Sequence, residues 1–297
     1  MNIRYSESPY EFDVDEHGVV TFTKKNLAFL NGILKYDSNY NASFDENNED
    51  KMQTYVGMLQ HLDFFSLDVI PESDEKDELG TTKDMLYKVI ESLDKINSTH
   101  LSSEGNSKKD DITTTGKRNR GRAKVAAKIR DIGGDKLKTL LKNRDAGLVA
   151  MIADPAVGGK HNFSFATKFC AYVSLYALGE DNYCIYDEIV QSVLPYFVYM
   201  YVDKDTFEKK YKDIYRTVKG TKANHYVARN KSLVNKYKDN DDYAGYRALI
   251  DDIIKGIERK LGNKLTYAEF DRLVWYYFKG SKSKILTVMK ILPRKED

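Results

Sequence analysis

The chain has 297 residues, of which 41% are hydrophobic and 31% are charged, so it is long enough and apolar enough to bury a core. Two cysteines and five scattered histidines argue against a structural metal site, and we expect no cofactor. We see no signal peptide, and the apolar stretch over residues 189–202 is too short and too interrupted to span a bilayer. We therefore expect a soluble, cytoplasmic protein without a membrane partner.

The first hundred residues form an acidic region. They hold 20 Asp and Glu against nine Lys and Arg, whereas the rest of the chain carries a net charge of +13. The pattern predicts a turn at His17 and Gly18 beside a short strand, followed by helices over about 25–36, 52–65 and 83–96. We expect this region to engage a basic partner or to cover the basic part of its own chain.

A polar segment separates the acidic region from the rest of the chain. Residues 97–115 are rich in Ser, Thr, Asn, Gly, Asp and Lys and nearly lack large apolar side chains, which is typical of a flexible linker. We therefore predict three parts: an acidic N-terminal region over 1–98, a linker over 99–116 and a helical domain over 117–297.

The densest positive segment that we single out follows the linker directly. Residues 117–144 hold eleven Lys and Arg but only two Asp, a composition that favours contact with the phosphates of a nucleic acid. A disordered basic arm and a basic surface that merely faces solvent are the alternatives. The residues that we expect to bind DNA, from this strip and the segment after it, are Lys117, Arg118, Arg120, Arg122, Lys124, Lys128, Lys160, Asn162 and Ser164.

The remaining chain has the pattern of one helix after another, and no strand is predicted in it. The fold class is therefore predicted to be mainly α. Thr266 and Glu269 have the spacing of a capping box, which marks the start of one helix. Apolar residues at helical spacing predict helices over about 120–130, 135–152, 164–178, 185–201, 204–217, 240–261, 266–278 and 281–290.

Two charged residues mark the most informative segment. Lys168 is predicted near the first turn of a largely apolar helix that Asn162 or Ser164 caps. Asp187 follows 19 residues later, at or near the cap of the next helix. The amine and the carboxylate can face one cleft only if the turn after Leu178 folds the chain back.

This pattern resembles the helix-hairpin-helix DNA glycosylases, and most of all their bifunctional 8-oxoguanine-type members. In that family a lysine follows the hairpin, and an aspartate begins the next helix at a similar distance. The resemblance covers about residues 117–290 and implies a helical domain that excises a modified or damaged base from DNA. The family hairpin usually reads Leu-Pro-Gly-x-Gly, whereas this chain has residues 162–165 there, and Gly158 and Gly159 lie too far upstream to replace it.

For individual residues, the resemblance implies a Schiff-base mechanism. The target base is flipped out of the duplex. The Lys168 amine attacks the sugar C1′, and Asp187 stabilises the developing positive charge and helps to deprotonate the amine. Tyr183, Tyr186 and Trp275 are candidates to stack on the flipped base, and burial in the core is their alternative role.

A different class of function fits the same residues. A Lys and an Asp at this separation occur by chance in a chain with 31% charged residues. A protein that binds nucleic acid without catalysis, in a defence or mobile-element system, would carry the same basic strip. The two hypotheses are therefore base excision with AP-lyase chemistry and non-catalytic binding.

Overall fold

The computed structural model describes residues 13–14, 20–21, 57–60, 64–67, 85–97, 101, 114–154, 161–211, 215–219, 224–228, 232–278 and 292–293. These residues are mainly helical, as the sequence predicts. The chain forms two compact units, which we describe separately. The middle unit comprises the described residues within Asn41–Ile185, and the flanking unit comprises those within Met1–Tyr40 and Tyr186–Asp297.

The middle unit is helical throughout its described part. Residues 57–60 are helical, and a single 3-10 turn spans Phe64–Ser66. The last helix of the unit, α5, continues directly into a π-helical stretch, Val173–Ala177. The helices are α1 (Met85–Asn97), α2 (Thr114–Ile132), α3 (Gly134–Lys142), α4 (Ala146–Ala153) and α5 (Phe163–Tyr172).

Helix α5 lies in the core of the middle unit, where it packs against α4 and α1. Every residue of α5 except Ser164 is buried. Helix α1 contributes Leu86, Val89, Ile90 and Leu93, which repeat at helical spacing and are at most 3% exposed. Burial of one such side chain contributes roughly 1.5–3 kcal/mol. This core joins α1, which precedes the predicted linker, to helices that follow it. Of the linker itself, residues 99–116, the structure describes Leu101 and residues 114–116.

The predicted helix over 135–152 is wrong in one respect, because the structure has two helices there. Helix α3 ends at Lys142, and Arg144 takes a left-handed conformation with φ 56°. Asp145 then caps α4, since its side chain accepts a hydrogen bond from the Gly147 N–H at 2.7 Å. An aspartate at this position begins a new helix more readily than it continues an old one.

The flanking unit combines helices with small antiparallel sheets. Strand β1 (Asp13–Val14) pairs with β2 (Val20–Thr21), close to the predicted N-terminal strand. A three-stranded sheet consists of β3 (Tyr215–Lys219), β4 (Asn224–Ala228) and β5 (Leu292–Pro293), in that order. A π-helical stretch, Phe207–Tyr211, follows α7. The helices are α6 (Glu188–Tyr201), α7 (Lys204–Thr206), α8 (Ser232–Asp239), α9 (Tyr243–Leu261) and α10 (Tyr267–Phe278).

Helices α9, α10 and α8 all pack against α6. The Phe197 ring of α6 meets Phe270 of α10 edge to face, with ring centroids 5.5 Å apart. The predicted capping box of α10 is confirmed. Thr266 N–H donates to Glu269 at 2.8 Å, and Glu269 N–H donates to the Thr266 hydroxyl at 3.2 Å.

The expectation of an all-helical C-terminal part is wrong at the β3–β4 hairpin. The predicted helix over 204–217 stops at Tyr211, and β3 begins at Tyr215. Tyr215, Thr217 and Val218 have aromatic or β-branched side chains, which favour strands over helices. Two further predicted helices, over 25–36 and 281–290, lie outside the described residues.

Candidate functional site

Lys168 lies in the second turn of α5, close to its predicted place near the start of the helix. Lys168 is 5% exposed, and the residues before and after it, Thr167 and Phe169, are fully buried. Asn162 occupies the N-cap position, where its backbone carbonyl accepts the Ala166 N–H at 2.9 Å without a capping bond from its side chain. The amine is therefore carried by a rigid, almost completely buried helix.

Asp187 is the N-cap residue of α6, as the sequence predicts. Its backbone is extended, and one carboxylate oxygen accepts the Val190 N–H at 2.9 Å. A carboxylate at this position is stabilised by the partial positive charge of the helix N-terminus. The residue is partly exposed.

The candidate pair is divided between the two compact units. Lys168 belongs to the middle unit, and Asp187 stands two residues beyond the boundary, in the flanking unit. The approach of the amine to the carboxylate stays a prediction.

The segment that follows the lysine helix folds back onto the turn between α3 and α4. The Ser174 hydroxyl donates to the Glu180 carbonyl at 2.6 Å and closes the first bend. Asn182 then donates to the Leu141 carbonyl at 3.2 Å and accepts from the Arg144 guanidinium at 2.8 Å. These bonds fix the turn after Leu178 inside the middle unit.

Two of the three base-stacking candidates lie in the core of their units. Tyr183 is 1% exposed, and its hydroxyl lies 3.1 Å from the carbonyls of both Leu140 and Asp145. Tyr186 is also 1% exposed and packs edge to face on Tyr246. Burial, and secondarily the charge of Asp239, raises the pKa of Tyr186. The backbone of the third candidate, Trp275, lies in α10, and its side chain is outside the described residues.

The basic strip forms α2 and α3. On α2, Lys124 is exposed, and Arg120 and Lys128 are partly exposed, whereas Val125 and Ile129 on the other side are buried. Of the other predicted phosphate contacts, Asn162 is buried and Ser164 is partly exposed. Those whose side chains lie outside the described residues are Lys117, Arg118 and Lys160.

Among the basic residues of the strip whose side chains the structure describes, Arg122 is the buried one, at 4% exposure. Its guanidinium donates to Asp94 and to Glu91 of α1, each at 2.9 Å. The second oxygen of Asp94 accepts the Leu101 N–H at 2.9 Å. Arg122 thus ties α2 to α1.

The candidate phosphate contacts omit three lysines that α3 exposes. Lys136, Lys138 and Lys142 all face solvent, and the Lys138 amine lies 5.6 Å from the centre of the Phe65 ring. The sequence contains the signal, because Leu137 and Leu141 are the buried residues of α3 and the lysines alternate with them. The exposed basic side chains therefore continue from α2 onto α3. The exposed carboxylates of Asp131 and Asp135 lie between them in the sequence.

The described part of the chain contains neither a metal-binding group of side chains nor a membrane-spanning helix. No three His, Cys, Asp or Glu side chains are grouped there in a way that could hold a metal ion. None of the helices described has both the length and the apolar character needed to cross a membrane.

Comparison with known proteins gives no relative, because no family model, no curated protein and no solved structure matches the chain.

Proposed function

We propose that this protein binds DNA through the exposed basic side chains of α2 and α3. The observation that supports the proposal is the sorting of charges within the strip. Arg122 is buried against carboxylates, whereas Lys124, Lys136 and Lys142 project into solvent from two consecutive helices. Lysines fixed on helices can contact several phosphates at once, and the released counterions supply the free energy of binding.

Charge reversal tests this proposal. The double variant K124E/K136E removes two exposed bases, one from each helix, without touching a buried residue. Its matched control is K255E/K264E, which makes the same change of charge on exposed lysines of the flanking unit. The affinity for a labelled DNA duplex is measured by fluorescence anisotropy at several salt concentrations.

We expect K124E/K136E to bind about tenfold more weakly at ~0.1 M salt. The plot of log affinity against log salt becomes shallower by about 0.9 for each phosphate that the variant no longer neutralises. The control keeps the slope of the unmodified chain. Equal effects of the two variants would mean that only the net charge matters and that α2 and α3 form no binding surface.

Base excision through Lys168 and Asp187 is our second proposal. Its support is the placement of Lys168 and Asp187 at the beginnings of two consecutive helices, α5 and α6, which resembles the arrangement in the helix-hairpin-helix DNA glycosylases. In the reaction the amine nitrogen bonds to the sugar C1′, the bond from C1′ to the base breaks, and the base leaves with a proton. The C1′–O4′ bond then breaks as the nitrogen forms a double bond to C1′, O4′ takes up a proton, and borohydride can reduce the resulting Schiff base to a stable adduct.

Borohydride trapping on duplexes that carry damaged bases or abasic sites tests this second proposal. We expect a covalent adduct that Lys168→Ala abolishes and that Lys255→Ala, on an exposed lysine, leaves intact. Asp187→Asn is expected to slow excision by about 10²–10⁴-fold and to keep α6 capped, since Asn caps helices as well as Asp does. Absence of an adduct on every duplex would rule out the excision mechanism and leave the DNA-binding proposal standing.

A further inference from the structure

The flanking unit contains a second basic segment. Residues 209–238 hold ten Lys and Arg and a single acidic residue, Asp213, so their charge density matches that of residues 117–144. The segment includes both strands of the β3–β4 hairpin.

The two strands form an antiparallel ribbon with a defined register. Arg216 of β3 stands opposite Val227 of β4, and Lys219 stands opposite Asn224. Strand β4 pairs with β5 on its other side, so β3 is an edge of the described sheet. Arg216 and Lys219 therefore lie along one edge of the ribbon.

The described bases before and after the ribbon differ in their surroundings. Lys210 is half-exposed and forms an ion pair with Asp252 at 2.9 Å. Lys209 and Lys236 are exposed, one before the ribbon and one after it. The segment thus carries basic residues before, within and after the ribbon.

We propose that the β3–β4 ribbon is a second contact surface for DNA and that its ligand is the duplex; this rests on the DNA binding proposed above. The major groove of B-DNA is wide enough for a two-stranded ribbon, with phosphates running along both walls. In the described sheet β5 pairs with β4 at His225 and Tyr226, on the side away from β3, so β3 is the strand that would lead into the groove. The major groove of duplex RNA is too narrow. Single strands are bound by successive aromatic side chains, whereas each of these strands has one tyrosine, Tyr215 in β3 and Tyr226 in β4.

The experiment uses the full chain with the double variant R216E/K219E, and K255E/K264E again serves as the charge-matched control. Anisotropy is measured with a DNA duplex, one of its strands and an RNA duplex of the same sequence. We expect R216E/K219E to weaken duplex DNA binding about tenfold at ~0.1 M salt and to lower the salt slope by roughly 2. The control is expected to bind as the unmodified chain does, and the single strand is expected to lose less affinity than the duplex.

The neutral variant R216Q/K219Q keeps the experiment decisive if charge reversal perturbs folding. We expect it to bind the duplex more weakly while its circular dichroism and unfolding midpoint stay unchanged. Charged residues on an edge strand can also serve only to prevent aggregation. If R216E/K219E aggregates and R216Q/K219Q binds like the unmodified chain, that role is the correct one and the proposal is overturned.

The two proposals fail in different ways. If K124E/K136E weakens binding and R216E/K219E does not, the ribbon proposal is overturned and the α2–α3 surface stands. If only R216E/K219E weakens binding, the ribbon is supported and the α2–α3 surface is rejected. An equal loss on the single strand and the duplex would overturn the assignment of the ligand as duplex DNA.

Discussion

Gly256 shows how a single residue sets the distance between two helices. It lies on α9 at the point where α9 crosses the end of α6, and a Cβ atom there would overlap the Tyr201 carbonyl. Backbone atoms cannot move aside as a flexible side chain can, so the helices would have to separate. We expect Gly256→Ala to destabilise the flanking unit by roughly 1–3 kcal/mol, measured by urea unfolding with the fluorescence of the only tryptophan, Trp275, which lies in that unit.

Gly57→Ala, in the middle unit, provides the control for this substitution when unfolding is also followed by circular dichroism, which reports both units. Gly57 lies in the helical stretch 57–60, and a Cβ atom there has no neighbour within 4 Å. Alanine favours a helix over glycine by about 1 kcal/mol, so this variant is expected to be neutral or slightly stabilising. A Gly256→Ala variant as stable as the unmodified chain would show that α6 and α9 do not approach so closely.

Asp203 gives the flanking unit a contribution to stability that depends on pH. Its carboxylate accepts the Thr206 N–H at 2.8 Å and lies 3.2 Å from the Arg259 guanidinium. The backbone hydrogen bond from Thr206 is the main cause that lowers its pKa to about 2, against about 3.9 for an unfolded chain. The pKa of Asp203 is lower in the folded than in the unfolded chain. Its contribution to the free energy of unfolding is therefore fully present above about pH 4 and disappears as the pH falls towards 2.

Asp203→Asn isolates this contribution, because Asn keeps the cap and cannot ionise. The difference in urea midpoint between the unmodified chain and the variant is measured at several pH values by Trp275 fluorescence. We expect the unmodified chain to be the more stable one at pH 5 and the difference to vanish near pH 2. A difference that stays constant over this range would mean that Asp203 has an ordinary pKa.

Among the elements, α1 and α2 are held together by a buried ion cluster. Arg122 and Asp94 are 4% and 3% exposed, so neither charge can be left alone without a large cost. We expect Arg122→Met to destabilise the middle unit by roughly 3–5 kcal/mol, since it leaves a buried carboxylate without its partner. The measurement is urea unfolding followed by circular dichroism.

The double variant R122M/D94N distinguishes the buried charge from the packing of the arginine. The side-chain amide that D94N introduces can still accept the Leu101 N–H but carries no charge, so part of the stability is expected to return. A double variant as unstable as R122M alone would show that packing of the arginine, and not its charge, holds the two helices together.

Local patterns predicted most of these elements, and distant contacts explain the failures. The capping box of Thr266 and the cap formed by Asp187 depend on residues within one helical turn, so the sequence contains the whole signal. The burial of Arg122 depends on carboxylates 28 and 31 residues away, which no local pattern indicates. The β3–β4 hairpin was missed because a charged, aromatic stretch is compatible with either a helix or an edge strand, and pairing with β4 decides between them.

For the whole molecule, the acidic region and the basic helices are not independent. If residues 99–116 were a linker between independent parts, residues 1–100 could be removed without loss of the rest. Their removal would then expose the basic surface and raise the affinity for DNA. In the structure α1 belongs to the middle unit, where Leu86, Tyr87, Val89, Ile90 and Leu93 are at most 3% exposed. Removal of residues 1–100 would also leave Arg122 without both of its carboxylates.

We therefore expect a chain that begins at residue 101 to have an unfolded middle unit and weaker DNA binding. Both cysteines of the protein, Cys170 and Cys184, are buried in that unit, and burial raises the pKa of the Cys170 thiol, so neither reacts readily in the intact chain. In the shortened chain both thiols are expected to react rapidly with a thiol reagent, whereas R122M alone gives an intermediate rate. Protected thiols together with tighter DNA binding would show instead that the acidic region is a detachable cover and that α1 is dispensable for the core.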